Sequence, residues 1–313
     1  MTPELSAYGP LLDALRGVRW PARRAVGAAP PGGHRSTQRG TAGEFTEYRG
    51  YRQGDDPRTL DWKLLARSDR AFVKVSEDRA LLTTWVLLDA GARMAYPADG
   101  RTRSKWDMAC QLAMGLVAVA HAAADPVGVL VATASGPLRL SPRTRRGTVA
   151  DAARTLSGVR AGGGAGGGAG GGAVGGAGVG ANNGDSRLAP LLATVAPRSR
   201  VVVLSDALSD LDALLKTAAS QVIGGTMLDF VHVVAREELD PPAGVHLARD
   251  PVDRAREAVL PARGRSSYTQ NFAAFRADVA ARWRAIGAGY REVCTDDDAA
   301  RAVRAVIAGV PAS

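Results

Sequence analysis

TWVLLDA at residues 84–90 and RVVVLSD at residues 200–206 decide the fold of this chain. Each is a continuous apolar run that closes on an acid, Asp89 in the first and Asp206 in the second. Short runs that are apolar at successive positions are buried on both faces, as strands inside a parallel sheet are. A long apolar helix is expected between them from about Ser104 to Ala124, followed by strands at Val127 to Ala132 and Leu138 to Leu140 and a helix at Thr148 to Val159. Beyond the second run come a helix from about Leu208 to Val222, a strand at Met227 to Val234, an amphipathic helix at Phe272 to Ile286, a strand at Gly289 to Cys294 and a closing helix at Asp297 to Ile307. Alternation of apolar strands with helices predicts an α/β fold with a mostly parallel sheet and helices on both faces. Ligands of such sheets sit at the carboxyl ends of the strands, where Asp89 and Asp206 emerge.

The chain has 313 residues, enough for one large or two small domains, and 46% of them are hydrophobic, as in globular proteins. Its net charge of +9 arises from 40 basic and 31 acidic residues, and all the bases but Lys63, Lys74, Lys105 and Lys216 are arginines. That bias, with the abundance of Ala and Gly, reflects a GC-rich coding sequence, and no recognition motif accompanies it, so nucleic acid is not the expected partner. Cys110 and Cys294 are far apart and have no metal-ligand spacing, which fits a reducing cytoplasm. The most apolar stretch, Met108 to Ala124, contains Gln111 and His121 and is expected to be a buried helix, so no membrane span is expected. Residues 161–184 are almost wholly Gly and Ala and are expected to form a flexible insert, with no Gly-Lys-Ser/Thr ending of a phosphate loop.

Ahead of the apolar runs lies a different kind of stretch, GEFTEYRGYRQGDDPRTLDWKLLAR, from Gly43 to Arg67. Glu44, Glu47, Asp55, Asp56 and Asp61 alternate with Arg49, Arg52, Arg58, Lys63 and Arg67, among Phe45, Tyr48, Tyr51 and Trp62. Opposite charges at this density beside large rings point to fixed ion pairing, in a structural clasp or a docking surface. The competing reading gathers Glu44, Asp55, Asp56 and Asp61 around divalent ions in a metal-dependent hydrolase or nuclease. A short helix is expected from Arg58 to Ala66, an irregular segment over Gly27 to Gly43, another helix over Pro10 to Ala25 and a half-buried strand at AFVKVSE from Ala71. Residues 1–70 are thus expected to form an N-terminal helix and signature segment packed on an α/β domain at 71–313.

Taken together, these residues resemble the bacterial domain-of-unknown-function family numbered fifty-eight. The resemblance is carried by His34-Arg35-Ser36, Gly43-Glu44-Phe45, Tyr48-Arg49, Gly54-Asp55-Asp56-Pro57-Arg58, Asp61-Trp62-Lys63 and Ala66-Arg67, and continues through Asp89 and Ser205-Asp206. It implies a Rossmann-like, von Willebrand factor A-like domain and, as working partner, a MoxR-type AAA+ ATPase. Many members of the family carry membrane helices before the signature; with the signature so near residue 1, none is expected here. Von Willebrand A domains often hold a divalent cation through an Asp-x-Ser-x-Ser element, a threonine and a second aspartate. In this chain Asp89 matches the first aspartate and Asp206 the second, but Gly91 and Arg93 stand at the serine positions. The threonine loop falls near Asp185 and Ser186, which give no match. A degenerate, metal-free site is therefore expected, with Mg²⁺ disfavoured and Arg93 bridging Asp89 and Asp206 in its place. The functional expectation is a non-enzymatic adaptor that works with the ATPase on a client protein. Metal-dependent hydrolysis by the acidic signature is the alternative.

Overall fold

The computed structural model describes residues 3–22, 31–40, 44–53, 60–68, 70–162, 188–242, 246–249, 257–260 and 264–309. Most of the Gly-rich insert, with Asp185 and Ser186, lies outside them, and so do Gly54, Asp55, Asp56, Pro57 and Arg58. The described chain begins with α1 (Pro3–Ser6), α2 (Gly9–Ala14), β1 (Pro31–Gly40), β2 (Glu44–Gly50), α3 (Trp62–Ser68) and β3 (Phe72–Ala80). The α/β part follows as β4 (Thr84–Asp89), α4 (Lys105–Ala122), β5 (Val127–Thr133), β6 (Gly136–Arg143), α5 (Thr148–Ser157), α6 (Leu188–Ala193), β7 (Arg200–Ser205), α7 (Leu211–Ile223) and β8 (Met227–Val234). It closes with α8 (Arg236–Leu239), β9 (His246–Arg249), β10 (Glu257–Leu260), α9 (Arg265–Ala285), β11 (Gly289–Cys294) and α10 (Ala299–Ala308).

The main sheet has six strands in the order β11-β8-β7-β4-β5-β6, and only β6 runs antiparallel to its neighbour. The two apolar runs are its centre: β4 and β7 pair in parallel, with Thr84 opposite Arg200 and Leu88 opposite Leu204. Every residue of both strands is buried. Alternate side chains enter different cores, Val86 and Leu88 on the face of α4, α5 and α10, Trp85 and Leu87 on that of α6, α7 and α9. This is the mostly parallel sheet with helices on both faces that the sequence predicts. From β4 the chain winds outward through β5 and β6, then returns to β7 on the other side. The strand order therefore reverses between β4 and β7, and the crevice outside their carboxyl ends is the switch point.

Helix α4 lies between the sheet and α10 and is buried nearly all round, which explains its lack of a polar stripe. A capping box of Ser104 and Asp107 starts it. Gly115 allows the close approach of its neighbours, since a Cβ there would lie 2.7 Å from Val303 Cγ2 and 2.9 Å from Leu15 Cδ1.

At the N-terminal end the structure departs from expectation. Of the helix expected over Pro10 to Ala25, the described residues carry only Gly9–Ala14, and the chain turns at Gly17 with a φ of +75°. The segment expected to be irregular carries β1, which pairs with β3; β2 pairs along the other side, giving a sheet in the order β1-β3-β2. The half-buried strand from Ala71 is β3 of this second sheet, not a member of the main one. β3 delivers the chain to the amino-terminal end of β4, opposite to Asp89. The β9–β10 hairpin was not legible beforehand.

Candidate functional site

The ends of β4 and β7 bring Asp89, Ser205 and Asp206 together, as their positions in the two apolar runs required. Asp89 is buried and fully engaged: its Oδ1 accepts from the Gly91 N–H at 2.8 Å, its Oδ2 from Ser205 Oγ at 2.8 Å and Ser209 Oγ at 3.4 Å. Ser205 is thus a tether between the two strand ends, and its Oγ also accepts from the Ala207 N–H at 3.2 Å. Gly91 serves through its backbone. Arg93, on a 3-10 turn at Ala92–Ala95, donates from Nη1 to the Leu208 carbonyl at 3.2 Å.

Asp206 points the other way. Its Oδ1 accepts from the Leu208 N–H at 3.0 Å, and its Oδ2 lies 2.9 Å from Lys105 Nζ. The same ammonium donates to Glu238 Oε1 at 2.8 Å, and Glu238 Oε2 accepts from the Ala235 N–H at 2.8 Å, closing α8 on itself. The Lys105 side chain is 1% exposed. Burial by itself disfavours the ammonium, but the charges of Asp206 and Glu238 outweigh it and hold the lysine pKa above its ordinary value. The expectation that Arg93 pairs with Asp206 is corrected: the cation on Asp206 is Lys105.

Three further groups beside this triad, His232, Tyr268 and Tyr96, are neutral near pH 7. Burial lowers the His232 pKa to about 4, with Asp206 opposing the shift, and its Nδ1 lies 2.8 Å from the Tyr290 hydroxyl. Burial, reinforced by Glu238, raises Tyr268 to about 12, and burial with Glu237 and Glu238 raises Tyr96. None of these groups is set to exchange a proton near neutral pH.

The described part of the signature cluster lies elsewhere, on and beside the second sheet. Asp61 is its anchor: Oδ1 accepts from the N–H groups of Lys63 at 3.0 Å and Leu64 at 3.1 Å, so the side chain caps α3. Its Oδ2 accepts from the Tyr48 hydroxyl at 3.0 Å, and the Tyr48 ring meets Phe72 edge-on with centroids 6.4 Å apart. Arg49 donates to the Gly50 carbonyl at 3.3 Å. Trp62, Lys63 and Arg67 are exposed, and Glu44 and Phe45 contribute their backbone to β2. Among the described residues no group of three or more His, Cys, Asp or Glu side chains is placed to share an ion, and no helix is long and apolar enough to cross a membrane.

Sequence reasoning missed Lys105, Glu238 and Ser209. One signal was present: Lys105 is one of four lysines in a chain with 40 basic residues, and it opens an apolar helix. At the start of an apolar helix a lysine brings a compact point charge where an arginine would bring a planar fork.

A family model described as "Protein of unknown function DUF58" matches residues 47–278. Relatives include the uncharacterized proteins Rv1480 of Mycobacterium tuberculosis and Mb1516 of Mycobacterium bovis, each 25% identical over 301 residues that cover 92% of this chain and 86% of theirs. Among solved structures, an aerotolerance-related membrane protein of Bacteroides fragilis aligns with a TM-score of 0.43 at 15% identity, over 71% of this chain and 95% of that one. The conserved hypothetical protein BatB of Bacteroides thetaiotaomicron gives 0.42 at 14%, over 71% and 95%. The VWA domain of SpRpn10 gives 0.38 at 11%, over 73% and 97%.

Proposed function

The chain belongs to the DUF58 family, and from that premise and the geometry above we propose that it is a non-enzymatic adaptor in the cytoplasm. It engages a MoxR-type AAA+ ATPase, and through it a client protein, by the loops at the carboxyl edge of the main sheet. The ATPase comes from the family resemblance and the adaptor reading from the site. One observation carries the latter: both acids at the switch point are already engaged inside the chain, Asp89 by hydroxyl and backbone donors, Asp206 by Lys105. Carboxylates held this way position loops; they do not receive a substrate proton or a catalytic water. The hydrolase reading is weakened at Asp61, whose two oxygens cap α3 and accept from Tyr48.

At this edge Leu208 is exposed, 39% accessible, and the neighbouring half-buried Arg93 holds the Leu208 carbonyl. Reversing charge and polarity there, with Arg93→Glu and Leu208→Glu together, is expected to weaken capture of the ATPase at least about tenfold, equivalent to about 1.4 kcal/mol. Co-purification followed by titration of the isolated proteins measures this. Undiminished binding of a folded double variant removes this edge from the interaction.

A further inference from the structure

The fold implies a divalent cation at the switch point, and the residues present do not fit one. Mg²⁺ and Ca²⁺ require about six or more oxygen ligands with free lone pairs. Here the two hydroxyl positions of the ligand element are Gly91 and Arg93. Ser205 directs its proton onto Asp89, and both Asp89 oxygens accept hydrogen bonds. Asp206 Oδ2 faces an ammonium at 2.9 Å, a position from which a second cation is repelled.

We infer that Lys105 is the resident cation of this edge: a covalently attached ammonium that bridges Asp206 and Glu238 where related domains carry a metal ion. Three elements meet on it, the end of β7, the start of α4 and the helix α8 that follows β8. Its location argues for this role independently of the distances. Lys105 is the first residue of α4, and the first turn of a helix favours acids and disfavours cations. The lysine is therefore held there by its two carboxylates against the preference of the helix. Its backbone is fixed too, the N–H donating to the Tyr96 carbonyl at 2.9 Å, so the ammonium has a set origin. A metal at this point can be withdrawn by a chelator and can complete its shell with an acidic group from a partner. A buried lysine does neither. The edge is consequently permanent and metal-independent, and its partner is recognised without a bridging ion.

This inference concerns the chain alone, so it stands whether or not the ATPase is the partner. Mn²⁺ titrated into the full-length protein, followed by electron paramagnetic resonance and calorimetry, tests it. The wild type is expected to show no saturable binding that depends on Asp206, and the same melting temperature in Mg²⁺ as in chelator. Lys105→Ala exposes the two carboxylates, and is expected to melt lower, to bind Mn²⁺ at least roughly tenfold more tightly than the wild type, and to regain part of its melting temperature when Mn²⁺ is added. The Lys105→Ala, Asp206→Asn double variant is expected to lose both gains. A merely structural lysine predicts the lower melting but no recovery by metal, so a folded Lys105→Ala that gains no Mn²⁺ binding overturns the inference. Saturable wild-type binding abolished by Asp206→Asn overturns it as well, and that measurement holds even where Lys105→Ala fails to fold.

Discussion

The main sheet carries a buried cation at each end, and the two are built differently. At the amino edge Arg200, the first residue of β7, lies with its Nη1 3.5 Å from Asp125 Oδ2, and the side chains are 3% and 0% exposed. The guanidinium also donates from Nη2 to the Trp20 carbonyl at 3.0 Å and sits 4.2 Å from the centre of the Trp20 ring. Asp125 Oδ1 in turn accepts from the Leu82 N–H at 3.2 Å. At the carboxyl edge Lys105 meets two carboxylates and nothing planar. A guanidinium suits the first place because one rigid fork must serve a carboxylate, a carbonyl and an aromatic face. An ammonium suits the second because a point charge between two acids is all the geometry asks. The difference locates the clasp: the N-terminal segment is fastened to the α/β part at Trp20, by Arg200, and the charged signature holds its own sheet together through Asp61.

If that contrast is right, the largest loss of stability falls at the amino edge. Arg200→Met strands Asp125, fully buried, and is expected to cost about 3–5 kcal/mol in denaturant unfolding. Lys105→Met strands Asp206 as well, but Glu238 is 14% exposed and can turn to water while keeping its cap on Ala235. Its expected cost is about 3 kcal/mol, the low end of the same range. A larger loss for Lys105→Met than for Arg200→Met would break the comparison and make the carboxyl edge the keystone of the fold.

How much of this was legible follows from the kind of signal each feature leaves. β8 was placed to the residue because a run of buried side chains writes itself directly into composition. Asp89 and Asp206 were legible for the same reason, as the acids that end such runs. β1 was not: PGGHRSTQRG has no apolar alternation and only one β-branched residue, so its pairing with β3 is imposed by the neighbouring strand and not by propensity. The cation at Asp206 was expected to be Arg93 because Arg93 stands at a serine position of the ligand element that begins at Asp89. Lys105 lies 101 residues from Asp206 and 133 from Glu238, and no local spacing announces a contact made by three crossovers converging on one edge. The charged signature looked like a single cluster, yet the acid described in it works as a helix cap, which its place before Trp62-Lys63-Leu64 permitted but did not demand.

The effect that is smallest per pH unit separates the two edges by pH. His232 sits on β8 beside the carboxyl edge, and burial takes its pKa from an ordinary 6.5 to about 4. Between those values the unfolded chain binds a proton that the folded chain does not. This contribution to stability is therefore complete above pH 6.5, falls as the pH drops through the window, and is gone below about 4. The slope from this one group reaches at most about 1.4 kcal/mol per pH unit. His232→Asn keeps a polar group facing the Tyr290 hydroxyl and removes the titration, so its unfolding free energy is expected to fall less steeply than the wild type's over the same interval. Arg200 stays charged throughout, and it is held by Asp125, Thr84 and the Trp20 carbonyl. An Arg200→Met chain should accordingly keep the wild-type slope from His232 while starting from a lower plateau. Equal slopes for His232→Asn and the wild type would mean that the acid response in this window arises away from the carboxyl edge, and pH would no longer tell the two ends of the sheet apart.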